Sequence, residues 1–421
     1  MVLKILKRGI RLALIPLAVS AVVLVLLALV YLLPTAGMKE HVKNTLGNFE
    51  KEGMYFYSLT GETGSDQDNF IEALYLDQAI VGTEDADLLR CALSGYDYVY
   101  RDPADTIGNL TAAVTEPDSV TITDTERRFF NGQVIILKPL LTVMGYTGVR
   151  TFCLYSCVLG TAWFFYLLHR RGFGKFILPA LLAILFLRPV TAWTGIAFSL
   201  IYACMLVPCI VMLLVKKETL QQKAWLIFGI TGAVTFCFNM NYFQLLSFCM
   251  PFLVYVLITG CPEKPSGLIR ILADWFIAWM AGYGGAMVIK WAVYAAAIDP
   301  SIFKAVTDQM AERTGLFEVT RAGTVMKNVR IAFGSLWWDL AEAGFILFSV
   351  ARWIRKREKV SFSLAEILLL LASLLIPLGR FVIFANHSDQ HAGFVYRLLM
   401  MPVLAVNLML AKKSTGEKTM R

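Results

Sequence analysis

The chain has 421 residues, 57% hydrophobic and only 17% charged, poorer in charge than a soluble domain at roughly 25%. Its net charge of +8 is uneven: residues 39–128 hold 18 acidic and 7 basic side chains, the remainder 13 acidic and 32 basic. Those basic residues cluster between apolar runs, as in the cytoplasmic loops of a membrane protein. That pattern excludes the basic face of a soluble nucleic-acid binder.

Lys4, Lys7, Arg8 and Arg11 precede an apolar stretch over residues 12–33. A cleaved signal has an apolar core of only about 7–15 residues, so this stretch is read as an uncleaved first span with its N-terminus inside. A long acidic loop follows, and a second span over 149–168 closes on His169, Arg170 and Arg171. Residues 176–187 go out and 195–215 return to Lys216 and Lys217; 224–238 go out and 243–259 return towards Lys264 and Arg270. Residues 271–296 lead to a second outer loop, and 340–350 return to the cluster from Arg352 to Lys359. Residues 364–384 go out and 398–410 return to Lys412 and Lys413.

The predicted fold class is therefore all-α, a polytopic transmembrane helical bundle of about ten spans with both termini inside. Its parts are a first transmembrane helix (1–33), an extracytoplasmic loop domain (34–131), and a membrane-parallel helix with spans two to seven (132–296). A second extracytoplasmic loop (297–339), then spans eight to ten with a cytoplasmic tail (340–421), complete it. Residues 176–187 and 224–238 are short for a hydrocarbon core of about 30 Å, so either polar ends extend them or they are broken helices beside protein or a cavity. The polar turn Asn239-Met240-Asn241 fits a cavity wall, and Gly282, Gly284 and Gly285 would let another helix approach closely. Of eight cysteines only Cys91 lies in the large loop, and no C-x-x-C pair occurs, so no redox or zinc chemistry is expected.

Three groups of residues could carry chemistry. Gly61-Glu62-Thr63-Gly64-Ser65-Asp66-Gln67-Asp68 reads as a turn-rich loop ahead of a helix over 69–81, with Glu72 one turn past Asp68. Paired carboxylates of this kind can deprotonate an acceptor hydroxyl or hold a divalent cation. The competing reading is a helix cap at Asp68 or Asn69 with Glu72 completing a capping box, and Asp-x-Asp recurs at Asp85-Ala86-Asp87. Arg188, Lys290, Arg380 and Arg397 fall near the outer ends of spans, where cations could hold a lipid phosphate or simply snorkel to head groups. His387 and His391 stand at i and i+4 in the last outer loop and could face a metal or a phosphate oxygen. Asp389 is not on their helical face, so no structural metal site is expected.

Asp68-Asn69-Phe70-Ile71-Glu72-Ala73-Leu74, Phe129-Phe130-Asn131-Gly132 with Leu137-Lys138-Pro139-Leu140-Leu141, and Asn386-His387-Ser388 with His391, Tyr396 and Arg397 resemble motifs of a group of largely uncharacterised bacterial polytopic membrane proteins. Relatives in that group carry Trp-His-Gly where Phe130-Asn131-Gly132 stands and Arg in place of Lys138, so any chemistry of that His is altered here by Asn131. More remotely, the layout resembles the GT-C glycosyltransferases, with many spans and acidic residues in a long first outer loop. That resemblance implies transfer of a sugar from a polyprenyl-phosphate donor to a saccharide acceptor at the outer face of the bacterial plasma membrane. Asp68 would be the base or metal ligand, supported by Asp66 or Glu72. Lys290, Arg380 and Arg397 would hold the phosphate, with His387 and His391 orienting it. The alternatives are a non-catalytic lipid or saccharide transporter and a cell-envelope scaffold.

Overall fold

A computed structural model describes residues 2–55, 58–238, 243–315, 319–355 and 362–414, with side chains described from residue 9 to 411. The Asn239-Met240-Asn241 turn, Lys356 to Lys359, and the side chains of Lys4, Lys7, Arg8, Lys412 and Lys413 lie outside the described set.

The apolar N-terminal run forms α1 (Val2–Tyr31). The acidic loop then folds into α2 (Ala36–Lys43), α3 (Gly47–Glu52), α4 (Asn69–Ile80), α5 (Leu88–Ser94) and α6 (Thr106–Thr115). A small antiparallel pair of β1 (Asp97–Val99) and β2 (Thr121–Thr123) sets Asp97 opposite Thr123 and Val99 opposite Thr121. Much of the loop's acidity is spent at helix starts. Asp68, Asp87 and Asp105 accept from the backbone N–H of Ile71, Arg90 and Gly108 at 3.3, 3.0 and 3.0 Å. Asp85 likewise accepts from the Gly82 N–H at 2.9 Å, so the second Asp-x-Asp is turn and cap chemistry.

The segment ahead of the second span, expected from the sequence to lie along the membrane, forms the short α7 (Val134–Leu141). Its buried Lys138 donates to the carbonyls of Ala79 and Val81 at 2.9 and 2.7 Å, closing the C-terminal end of α4 where a cation is favoured. Burial pushes this ammonium down to about 8.

The bundle is built from α8 (Tyr146–Arg170), α9 (Ile177–Phe186), α10 (Pro189–Thr194), α11 (Ile196–Leu214), α12 (Lys217–Phe238) and α13 (Leu246–Thr259). It continues through α14 (Pro265–Ala297), α15 (Ile302–Thr314), α16 (Arg321–Ala332), α17 (Leu336–Arg355), α18 (Leu364–Ile383), α19 (Ala385–Gln390), α20 (Ala392–Val395) and α21 (Met400–Ser414). By length and composition, six helices among the described residues can cross a membrane, or seven if α16 and α17, bent by 83°, count as one span. Gly174–Phe186 and Leu246–Thr259 are apolar but shorter.

The two short spans of the sequence resolve differently. α12 starts at Lys217, so a polar end extends it to 22 residues. The 176–187 segment stays short because Arg188 takes a left-handed backbone (φ 56°) that breaks α9 from α10. The glycine reading holds for two of three positions. A Cβ on Gly282 would collide with the Gly229 carbonyl of α12, and one on Gly285 with Pro16 of α1, whereas Gly284 faces open space.

Candidate functional site

Polar groups gather in three places at the end of the bundle that carries the loop domain. The first is a seam joining α4 to α8 and α11. Arg150 at the start of α8 makes a bidentate ion pair with Glu52 at 2.6 and 2.7 Å and also reaches Gln67 at 2.8 Å and Asn69 at 3.1 Å. Glu72 does not complete a capping box with Asn69, because the cap is Asp68 and the Asn69 amide donates to Glu52 and the Gly53 carbonyl. Glu72 accepts from the backbone N–H groups of Ile196 and Ala197 at 2.9 and 3.1 Å and from the Tyr146 hydroxyl at 3.1 Å. Its carboxylate thus caps the N-terminus of α11, 124 residues on. Burial holds this carboxyl up at about 7, opposed by those hydrogen bonds and by Arg150.

The second place holds Asp66. The fully buried Arg397 donates to the carbonyls of Leu187 at 2.9 Å, Gly64 at 3.0 Å and Gly393 at 3.1 Å. Tyr396 donates to the same Gly64 carbonyl at 2.9 Å. Asp66 is half-buried, and its carboxylate lies 3.3 Å from where a Cβ on Gly393 would stand. Burial raises its pKa while the charge of Arg397 lowers it. Arg188 sits beside this group, donating to the carbonyls of Phe186 and Ala332 at 3.0 and 3.2 Å and facing Glu62 at 3.8 Å.

The third place is a chamber of about 240 Å³ between α14, α15 and the α18–α19 turn. Arg128, Arg313, Arg380, His387, Gln244 and Gln309 face it, between walls of Phe129, Phe236, Tyr283, Trp291 and methionines. Among the described residues no carboxylate lines it. Arg380 donates to the Ser388 hydroxyl at 2.8 Å and lies 3.5 Å from Nδ1 of His387. Its buried Nε has no partner among the described residues. The His387 and His391 rings touch with centroids 4.7 Å apart. Burial and the neighbouring Arg380 push the His387 imidazole well below its usual range. Burial, then Arg313 and Arg380, push His391 down to about 4. Both rings are neutral at pH 7, and the positive charge is carried by guanidinium groups.

The α18–α19 turn therefore brings Arg380, His387 and His391 together, while Asp66 lies across Gly393 beside Arg397 in the turn that follows α20. Asp68 and Glu72 belong to the α4 junction. Lys290 is buried against the loop domain, donating to the Leu93 carbonyl and lying 4.9 Å from the Tyr294 ring centre. Asn131, with φ 55°, turns its amide to the carbonyls of Glu126, Phe129 and Ser94 at 3.3, 3.4 and 3.5 Å. No cluster of three or more His, Cys, Asp or Glu suited to a metal occurs among the described residues. Sequence reasoning missed Arg128, Arg313 and Arg150. Arg150 sits at a span end among the loop-domain contacts, so the signal that flagged Arg188 would have found it. Arg313, in a mixed-charge helix, gave none.

Comparison with family models, with curated proteins and with solved structures finds no match to this chain.

Proposed function

We propose that this chain is a GT-C-like membrane glycosyltransferase that moves a sugar from a polyprenyl-phosphate donor to a saccharide acceptor at the outer face of the bacterial plasma membrane. The observation that carries this reading is the chamber. Three arginines and a neutral histidine face one aromatic-walled space without a lining carboxylate, a combination suited to an anionic group on an apolar carrier. Six helices among the described residues, or seven with the bent pair, are long and apolar enough to cross a membrane. In this reading the two short apolar helices and α12 add three more, for ten crossings with both termini in the cytoplasm.

In this reading Arg380 and Arg313 hold the donor phosphate and His387 accepts or gives a hydrogen bond to it. The acceptor hydroxyl attacks the anomeric carbon, the bond from that carbon to the phosphate oxygen breaks, and the lipid phosphate leaves as an anion stabilised by the guanidinium groups. The acceptor's proton passes to a carboxylate. Asp68 and Glu72 are engaged with backbone N–H groups, so Asp66, beside the α19–α20 turn, is assigned as the base, its pKa raised by burial towards that task. A divalent cation is not needed for this scheme.

The test is transfer from a radiolabelled polyprenyl-phosphate sugar in proteoliposomes. Asp66→Asn should abolish transfer with insertion intact. Asp68→Asn should keep transfer, since Asn also caps helices well. Transfer surviving in Asp66→Asn discards the assigned base. Wild type that binds the lipid phosphate yet transfers nothing from several donors favours a lipid or saccharide transporter.

A further inference from the structure

Helix α16 turns through 83° into α17 across residues 333–335. The two helices are long and apolar enough to cross a membrane only when taken together; where α17 supplies the crossing, a helix at that angle to it runs along the bilayer plane. Its inner face is committed: Thr324, Asn328 and Ala332 are buried, and Asn328 donates to the Ser388 carbonyl at 2.9 Å. Lys327 on its flank is held by Asp389 at 2.8 Å. Met326 and Arg330, four residues apart on the outward face, are exposed, as are Phe333, Leu336 and Trp337, the last at 73%. Between Arg321 and Trp338 there are three cations and no acidic residue, although residues 39–128 at the same end of the molecule carry an excess of acid.

We propose that α16 is an interfacial helix that binds the acidic phospholipid head groups of the surrounding bilayer through Arg321 and Arg330. Met326, Phe333 and Trp337 anchor it among the upper acyl chains. Basic side chains alternating with Met and aromatic residues on a surface-lying helix are the pattern that favours anionic leaflets. An aromatic residue at the first turn of a span suits the head-group level. Glu62, which accepts from the Ser335 hydroxyl at 3.1 Å, and Asp339 in the first turn of α17 lie at the bend, so the phosphate is placed at Arg321 and Arg330 rather than at the bend itself. This inference does not depend on glycosyl transfer, because the proposed donor occupies the chamber on the other side of the α19 turn.

Native mass spectrometry of the purified full chain, titrated with phosphatidylglycerol and phosphatidylcholine of equal chain length, tests it. Wild type should retain phosphatidylglycerol in preference, by about fivefold for each cation that contributes. Arg321→Gln with Arg330→Gln, both at exposed positions, should bring the two lipids to parity, and the double Lys variant should keep the preference. Equal retention by wild type overturns the proposal, as does a preference unchanged in the double Gln variant. A preference abolished instead by Arg380→Gln would assign the lipid to the chamber and also overturn it.

Discussion

The α4 seam and the Arg380 chamber are both buried, both polar and both built around arginine, and Arg128 at the chamber is paired with Glu126 at 2.8 Å, but the two regions differ in what answers their central guanidinium. At the seam Arg150 meets Glu52 in a two-pronged pair, and Glu72 fills the positive end of α11. At the chamber Arg380 meets a hydroxyl and an imidazole, its Nε has no described partner, and no described carboxylate lines the space. Buried charge that finds its counter-charge within the fold specifies structure. Buried charge that does not is costly in the empty protein, and a ligand of opposite sign recovers that cost.

The widest separation between the two regions should come from removing their arginines. Arg150→Leu leaves Glu52 buried without its partner and should destabilise the chain by about 3–5 kcal/mol, read as a large fall in Tm in detergent. Arg380→Gln should leave Tm unchanged or raised. It should weaken binding of polyprenyl phosphate by about 10–100-fold, the worth of a lost charge-assisted hydrogen bond of about 1.5–3 kcal/mol. A fall in Tm for Arg380→Gln as large as that for Arg150→Leu would erase the contrast.

A smaller effect lies in the pH dependence, where the two regions have opposite signs. Glu72 binds its proton more tightly folded than unfolded, so its contribution to stability is complete below about pH 4.5 and lost as pH rises through about 7. His391 binds its proton less tightly when folded. Its contribution is complete above the usual imidazole value of about 6.5 and lost as pH falls through about 4. The stability gap between wild type and Glu72→Gln should therefore narrow from pH 4.5 to 7, while the gap to His391→Gln should widen from pH 4 to 6.5. Thermal melts of the three proteins across that range read both slopes, and slopes of the same sign would refute the pairing.

The apolar helices were legible in the sequence because hydrophobic length is a local property, as were the close approaches at Gly282 and Gly285, which need only a missing side chain. The start of α4 was legible too, since an Asp before an apolar helical stripe is a cap signal. What stayed hidden depends on contacts across the chain. Glu72 matches a capping box by spacing, yet its carboxylate serves α11. Lys290 looked like a phosphate ligand by depth, yet it faces the Leu93 carbonyl at the end of α5. Arg128, Arg313 and Arg380 become one group only when the turn after β2 packs with α15 and α18, and no spacing rule links residues so far apart in the chain.

The clasp at Gly64 has a consequence for biogenesis. Its carbonyl receives Tyr396 and Arg397 from 332 and 333 residues further along the chain, whereas Glu72 reaches Tyr146 only 74 residues on. At about 5–20 residues per second, a ribosome needs roughly 15–70 s to deliver the clasp after residue 64 has been made. During that interval the partners of the α4 seam exist while those of Gly64 do not. The α4 seam can therefore close before the Asp66 side, whose contacts wait for Tyr396 and Arg397 to be made.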